Sequence, residues 1–203
     1  MHLNKSTVKV LQLFTGHITE SFTLREIARK LKMHVSLAHR AIKPLIEEKI
    51  VLRNKHKNLS LNYKTHHETL AFVEYLRRDE LLNKPKYKDI ALFAEEVLNK
   101  IKEDHFILIL FGSAIDSDKP RDIDILLIVN NTDKVNFHEK FLHNIASNYN
   151  LLFEESVISI ESVYEMLAKR DEMNVINEIL NKHIILYGAE SFYRLIQKGR
   201  PYA

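Results

Sequence analysis

Two short apolar runs, HFILILF ending at Phe111 and DIDILLIV beginning at Asp122, constrain this chain more than any other feature. Both are dense in Ile, Leu and Phe, and both are bounded by polar breaks. They read as buried strands. Gly112-Ser113 closes the first run, in a chain with only four glycines. An eight-residue loop, AIDSDKPR, then leads to Asp122 and Asp124. On a strand, residues two apart share a face. The two carboxylates therefore point the same way, with Ile123 and Ile125 turned into the core behind them.

That arrangement has a chemical consequence. Two carboxylates held side by side repel unless a cation lies between them. A hard divalent cation with oxygen ligands meets the need, and Mg²⁺ takes one or two carboxylates together with substrate phosphates. Gly112 lets the backbone approach a ligand, and Ser113 offers a hydroxyl and an amide to a phosphate oxygen.

The Gly-Ser, short loop, Asp-x-Asp pattern resembles the nucleotidyltransferase superfamily that includes DNA polymerase beta, most closely its small members. The resemblance implies that Gly112 and Ser113 hold the phosphates of a nucleoside triphosphate and that Asp122 and Asp124 bind Mg²⁺. An acceptor hydroxyl on a protein, a nucleic acid or a small molecule then attacks the α-phosphate. The loop departs from the family pattern: it has no second glycine, and Arg121 stands where a serine is usual. Arg121 and Lys119 take over the phosphate contacts in this reading, with Asp116 and Asp118 opposing them. The resemblance also implies a third carboxylate on a later strand, which LLFEESVISI supplies as Glu154 or Glu155. Alternation groups Glu155 with Val157 and Ser159, the less apolar face, and this favours Glu155 as the third catalytic group.

The formal charge is uneven. Residues 1–64 carry thirteen Lys and Arg against four Glu, a balance of +9, while residues 65–203 carry seventeen against twenty-three acidic residues, a balance of −6. A small basic module joined to a larger acidic one suggests that the first meets a polyanion. Thr23 with Glu26 forms a capping-box signature before a helix, and Ala38, Ala41, Ile42 and Leu45 mark the face of a second. A hairpin with a basic tip follows. Helix, short turn, helix and basic hairpin over about residues 4–63 resembles a winged helix-turn-helix. The resemblance implies DNA contacts from Ser36, His39, Arg40 and Lys43 on the second helix, and from Arg53, Lys55, His56 and Lys57 on the wing. Pro44 is expected to bend or unwind that helix. Lys49, where a glycine is usual, implies a strained left-handed cap.

The fold class expected is α/β (α+β). It divides into a winged helix over 1–64, a connecting helix over 65–84, and a nucleotidyltransferase domain with a mixed sheet flanked by helices over 85–203. The tail reads as two helices, a short strand and a final helix, with Tyr187 and Tyr193 as packing residues. The adjacent His66 and His67 point about 100° apart on a helix and do not form a metal site. The chain contains no cysteine, which removes disulfides and thiolate metal sites. No apolar run reaches the roughly 18 residues of a membrane span, and the first residues lack the apolar core of a secretory signal. A cytoplasmic protein is expected, with a homodimer as one open state. A transcription regulator that only senses nucleotide is the rival to the enzyme.

Overall fold

The structure is a computed structural model and describes residues 3–117, 120–170 and 172–200. Helix α1 (Lys5–Thr15) starts at Asn4, whose side chain accepts from Thr7 N, and buries Val10, Leu11 and Phe14. A two-residue strand, β1 (Ser21–Phe22), precedes α2 (Leu24–Lys30). The expected capping box is present, with Thr23 and Glu26 exchanging hydrogen bonds. Helix α3 (Val35–Glu47) buries Ala38, Ala41, Ile42 and Leu45. Strands β2 (Val51–Arg53) and β3 (Leu59–Leu61) form the hairpin, and β1 completes its sheet by pairing with β3. At two residues β1 is too short to show a periodicity in the sequence.

Pro44 does not unwind α3, which runs through it to Glu47. Proline sits in the last turn, so the helix loses a single internal bond there. Lys49 does adopt the left-handed conformation, at φ 57°. Its N–H donates to Ile46 O and the next N–H, from Ile50, donates to Leu45 O, at 3.0 and 2.9 Å. These two bonds are the Schellman pattern that satisfies the last helical carbonyls. Asn62 Nδ2 adds a bond to Lys49 O at 2.8 Å. Since a side chain in this region costs about 1–2 kcal/mol, partly offset by the greater freedom of glycine when unfolded, Lys49→Gly is expected to stabilise the fold by about 1 kcal/mol. Urea denaturation would read this as a higher midpoint at unchanged slope.

Helix α4 (His67–Leu82) follows, and then α5 (Lys88–Lys100), separated by a 3₁₀ turn at Pro85–Tyr87. Strand β4 (Phe106–Phe111) is buried along its whole length, and β5 (Ile123–Val129) is buried at every position except Asp124. Helix α6 (Val135–Ala146) crosses over to β6 (Phe153–Ser159), which lies parallel to β5. Helices α7 (Ile160–Ala168) and α8 (Val175–Ile179) lead to β7 (His183–Tyr187) and α9 (Ala189–Gly199). The sheet order is β6-β5-β4-β7, with β4 antiparallel to both β5 and β7. The chain is thus a mixed α+β protein with one three-stranded and one four-stranded sheet among its described residues. None of the described helices is long and apolar enough to cross a membrane.

The sheet separates two apolar clusters. Ile123, Ile125 and Leu127 face one, with Phe93 and Val97 of α5 and Leu142 of α6. Leu126, Ile128 and Phe111 face the other, which runs without interruption into Phe14, Leu45 and Leu61 of the N-terminal module. The charge boundary near residue 64 is therefore not a boundary of the core. At that junction Glu74 of α4 is fully buried. It meets Arg77 Nη1 at 2.6 Å, Tyr193 Oη at 2.8 Å and His183 Nε2 at 3.3 Å. Arg77 Nη2 also donates to His183 O at 2.7 Å.

Candidate functional site

Strand β4 ends, and β5, β6 and β7 begin, at one edge of the four-stranded sheet. Gly112 leaves β4 at φ 69°, in the left-handed region. A Cβ on it would lie 1.9 Å from Asp124 Oδ2. Glycine is needed here twice, for the turn and for the carboxylate packed over it. The Ser113 N–H donates to that carboxylate, and Ser113 itself is exposed. Asp124 pairs across to Phe111 on one side and to Glu154 on the other. Asp122 lies one residue ahead of β5, in the bend that enters it, close enough for its charge to act on Asp124, while Ile123 and Ile125 turn into the opposite cluster.

Register corrects the choice of third carboxylate. Glu154, not Glu155, is level with Asp124 and on its face. Glu155 pairs with Ile125 on the far side, and its Oε1 lies 3.7 Å from His143 Nδ1 of α6. Alternation separates the two glutamates but does not say which face meets the aspartates. The face that carries Val157 and Ser159 is in fact the one covered by α6. A further acidic residue, Glu178 of α8, reaches the same region, and nothing in its local sequence singled it out.

The electrostatics follow from this crowding. Burial pushes the Asp124 carboxyl above its ordinary value, and the charges of Asp122, Glu154 and Glu178 push the same way, against the Ser113 N–H. Arg121, whose side chain is 86% exposed, directs Nε to Asp122 Oδ2 at 3.3 Å rather than standing over Ser113. Asp116 pairs with Lys182 at 3.1 Å. Asp118 and Lys119 lie outside the described residues. Among the described residues no three ligand-type side chains stand close enough to hold an ion as they are. The donor set nonetheless fits a hard divalent cation: all oxygen, net negative, and destabilised by a repulsion that such an ion relieves.

On the basic module, Ser36, His39, Arg40 and Lys43 are all exposed on α3, as are Arg53, Lys55, His56 and Lys57 on the hairpin. His39, Lys43, Arg53, His56 and Lys57 line a groove of about 710 Å³ between helix and hairpin, floored by Ile42, Ile46 and Leu59. Arg40 is not part of it and faces Asn4 and Ser6 at the start of α1. Ser36 Oγ is held 2.8 Å from His34 Nδ1, the residue that caps α3. Tyr193 is buried against Glu74, and Tyr187 stacks on Phe106 with ring centroids 4.5 Å apart.

Comparison with family models, with curated proteins and with solved structures finds no match to this chain.

Proposed function

We propose that the chain is a Mg²⁺-dependent nucleotidyltransferase that moves a nucleoside monophosphate from a triphosphate to an acceptor hydroxyl. The observation that carries this reading is the Gly112 turn packed under Asp124, with Glu154 level with it on the same face and the Asp122 charge beside it. Asp122 and Asp124 would hold Mg²⁺, and the ion would supply charge neutralisation at the phosphates and a lowered pKa for the attacking hydroxyl. Ser113, exposed at the turn, offers its hydroxyl to the β- and γ-phosphates. Glu154 is the carboxylate left to accept the acceptor's proton. Attack forms a bond from the acceptor oxygen to the α-phosphorus, and pyrophosphate leaves with the electron pair of the broken bond.

Calorimetry with each of the four triphosphates and Mg²⁺ tests this. Wild type is expected to bind at least one of them only when magnesium is present, and Asp122→Asn/Asp124→Asn to lose that binding. Glu154→Gln should retain binding while pyrophosphate release falls on the order of 100-fold, within the range of general-base removal. Glu155→Gln should behave as wild type. A folded wild type that binds no triphosphate sinks the enzyme reading.

The basic module is proposed to bind duplex DNA, with α3 in the major groove and the hairpin on phosphate. The cations flanking the α3 groove support this. Affinity for a duplex should fall steeply between 50 and 200 mM salt (roughly tenfold or more), and Lys43→Ala should weaken it and flatten the slope by about one unit. Salt-independent binding would overturn it. A second reading, a regulator whose transferase fold senses nucleotide, is favoured by the direct bonds between the modules: Ile18 N–H to Leu180 O at 2.8 Å and Thr19 to Asn181 at 3.0 Å. Both residues contacted follow Glu178 by two and three positions.

A further inference from the structure

The groove between α3 and the hairpin carries a surface that a duplex leaves unused. Val35, His39, Ile42 and Ile46 follow one another at steps of four, three and four residues, so they form one line along the helix. The module's core takes the neighbouring Ala38, Ala41 and Leu45. The line that faces the hairpin stays open: Val35 is 41% exposed, and Ile46 is only half-buried. Leu24 of α2 and Leu59 of β3 complete an aliphatic lining. In the major groove the thymine methyl is the one apolar group a base offers, and phosphates offer none. Apolar surface gathered in a concavity and rimmed by polar groups marks a place where a ligand sits.

Charge chooses the kind of ligand. Among the described residues of the lining, four Lys and Arg stand against the single carboxylate of Glu47. Lys43 projects from α3, while Arg53 and Lys57 project from the hairpin, so cations hold both lips. Glu47 lies 3.9 Å from Lys43 with both side chains more than half exposed, a pairing that water keeps weak. The described lining holds no Phe, Tyr or Trp. A flat ring therefore finds no stacking partner, whereas a flexible chain packs well on branched aliphatic side chains. At about 710 Å³ the groove falls within the roughly 300–1,000 Å³ of small-molecule sites.

We propose that this groove binds a free amphipathic anion, an acyl chain with a single carboxylate head. The chain lies against Val35, Ile42, Ile46 and Leu59, and the carboxylate is held between Lys43 and the hairpin cations Arg53 and Lys57. These are the cations offered to DNA phosphates. The anion and a duplex therefore exclude one another, and the anion releases the module from DNA. The exclusion rests on the DNA reading above; the ligand site does not.

Calorimetry of the full chain with dodecanoate, kept below its micelle concentration, tests the site beside dodecanol, acetate and phosphatidylglycerol vesicles. The expected result is one saturable site for dodecanoate. Acetate, which lacks the chain, and dodecanol, which lacks the charge, should each bind roughly tenfold or more weakly, the scale of a lost charge-assisted or apolar contact. Arg53→Glu/Lys57→Glu, at exposed hairpin positions, and Val35→Asp/Ile46→Asp, on the open line of α3, should each weaken dodecanoate by the same order. Urea midpoints check that both variants fold, and the hairpin pair decides if the helix pair does not. In anisotropy with a labelled duplex, dodecanoate should raise the apparent Kd of the duplex in proportion to its own site occupancy. The site is overturned by a wild type with no saturable binding, by equal affinity for dodecanol, by a hairpin variant that binds as wild type does, or by binding to vesicles alone. A duplex that stays bound at saturating dodecanoate overturns the exclusion. A chain that binds dodecanoate but no duplex refutes the DNA reading and the exclusion, and leaves the site standing.

Discussion

Glu74→Ala is expected to destabilise the protein by about 3–5 kcal/mol, the usual result of breaking one side of a buried ion pair. Glu74 and His183 are both fully buried, and the Arg77 side chain is 12% exposed. Removal of the carboxylate leaves the guanidinium without its counter-charge and the buried Tyr193 hydroxyl without its acceptor. Arg77 also lies over Gly16, where a Cβ would come within 2.9 Å of Nη2. The network thus joins α1, α4, β7 and α9, and its loss should loosen the N-terminal module together with the sheet. Urea denaturation of wild type and variant checks this, and a cost under about 1 kcal/mol would show the network to be dispensable.

The same residue sets a pH dependence. Burial alone would raise the Glu74 carboxyl, but Arg77, His183 and the Tyr193 hydroxyl outweigh it and hold it below the ordinary glutamate value of 4.5. A carboxyl lowered by folding contributes stability that is fully present above its unfolded value and is lost as pH falls through its folded value. The stability gap between wild type and Glu74→Gln should therefore be widest near neutral pH and narrow below pH 4.5. A gap that widens on acidification would contradict the ion pair.

If the chain has the transferase activity proposed above, Gly112→Ala is expected to reduce it on the order of 100-fold, the scale of an ångström misplacement at a reacting centre. The new Cβ would stand 1.9 Å from Asp124 Oδ2 and 2.8 Å from its Cγ, so the carboxylate must leave its place. The left-handed turn adds a backbone cost of about 1–2 kcal/mol. The steric and backbone effects separate in a double-mutant cycle read as unfolding free energy. Combined with Asp124→Ala, which clears the collision down to a 3.3 Å contact with Cβ, Gly112→Ala should cost only the backbone part. Equal costs in both backgrounds would mean that Asp124 does not lie over Gly112.

Much of this arrangement was legible before the fold was known, and the reason is locality. The nearness of Asp122 to Asp124 follows from two residues of separation at the entry to one strand. Glycine at 112 follows from a turn that must both reverse the chain and leave room above it. The capping box at Thr23 and Glu26, the inward face of α3 and the left-handed cap at Lys49 are likewise set within a few residues. The charge division near residue 64 was also readable, though it did not predict a core shared across it.

What the tertiary structure decided depends on contacts between distant parts of the chain. Glu154 meets the aspartates and Glu155 does not because of the parallel register between β5 and β6, which alternation within β6 cannot supply. Glu178 arrives from α8, about fifty residues after Asp124 in the sequence, carried by the packing of the final helices. Glu74 reads as one acidic position on an amphipathic helix. Only the approach of β7 and α9 turns it into a buried counter-charge. The cleft between the basic module and the sheet has the same origin, for Lys9, Lys32 and Lys84, which line it, come together only when that module folds back onto the sheet. Short-range periodicity places side chains on a face, while long-range register and packing choose which faces meet.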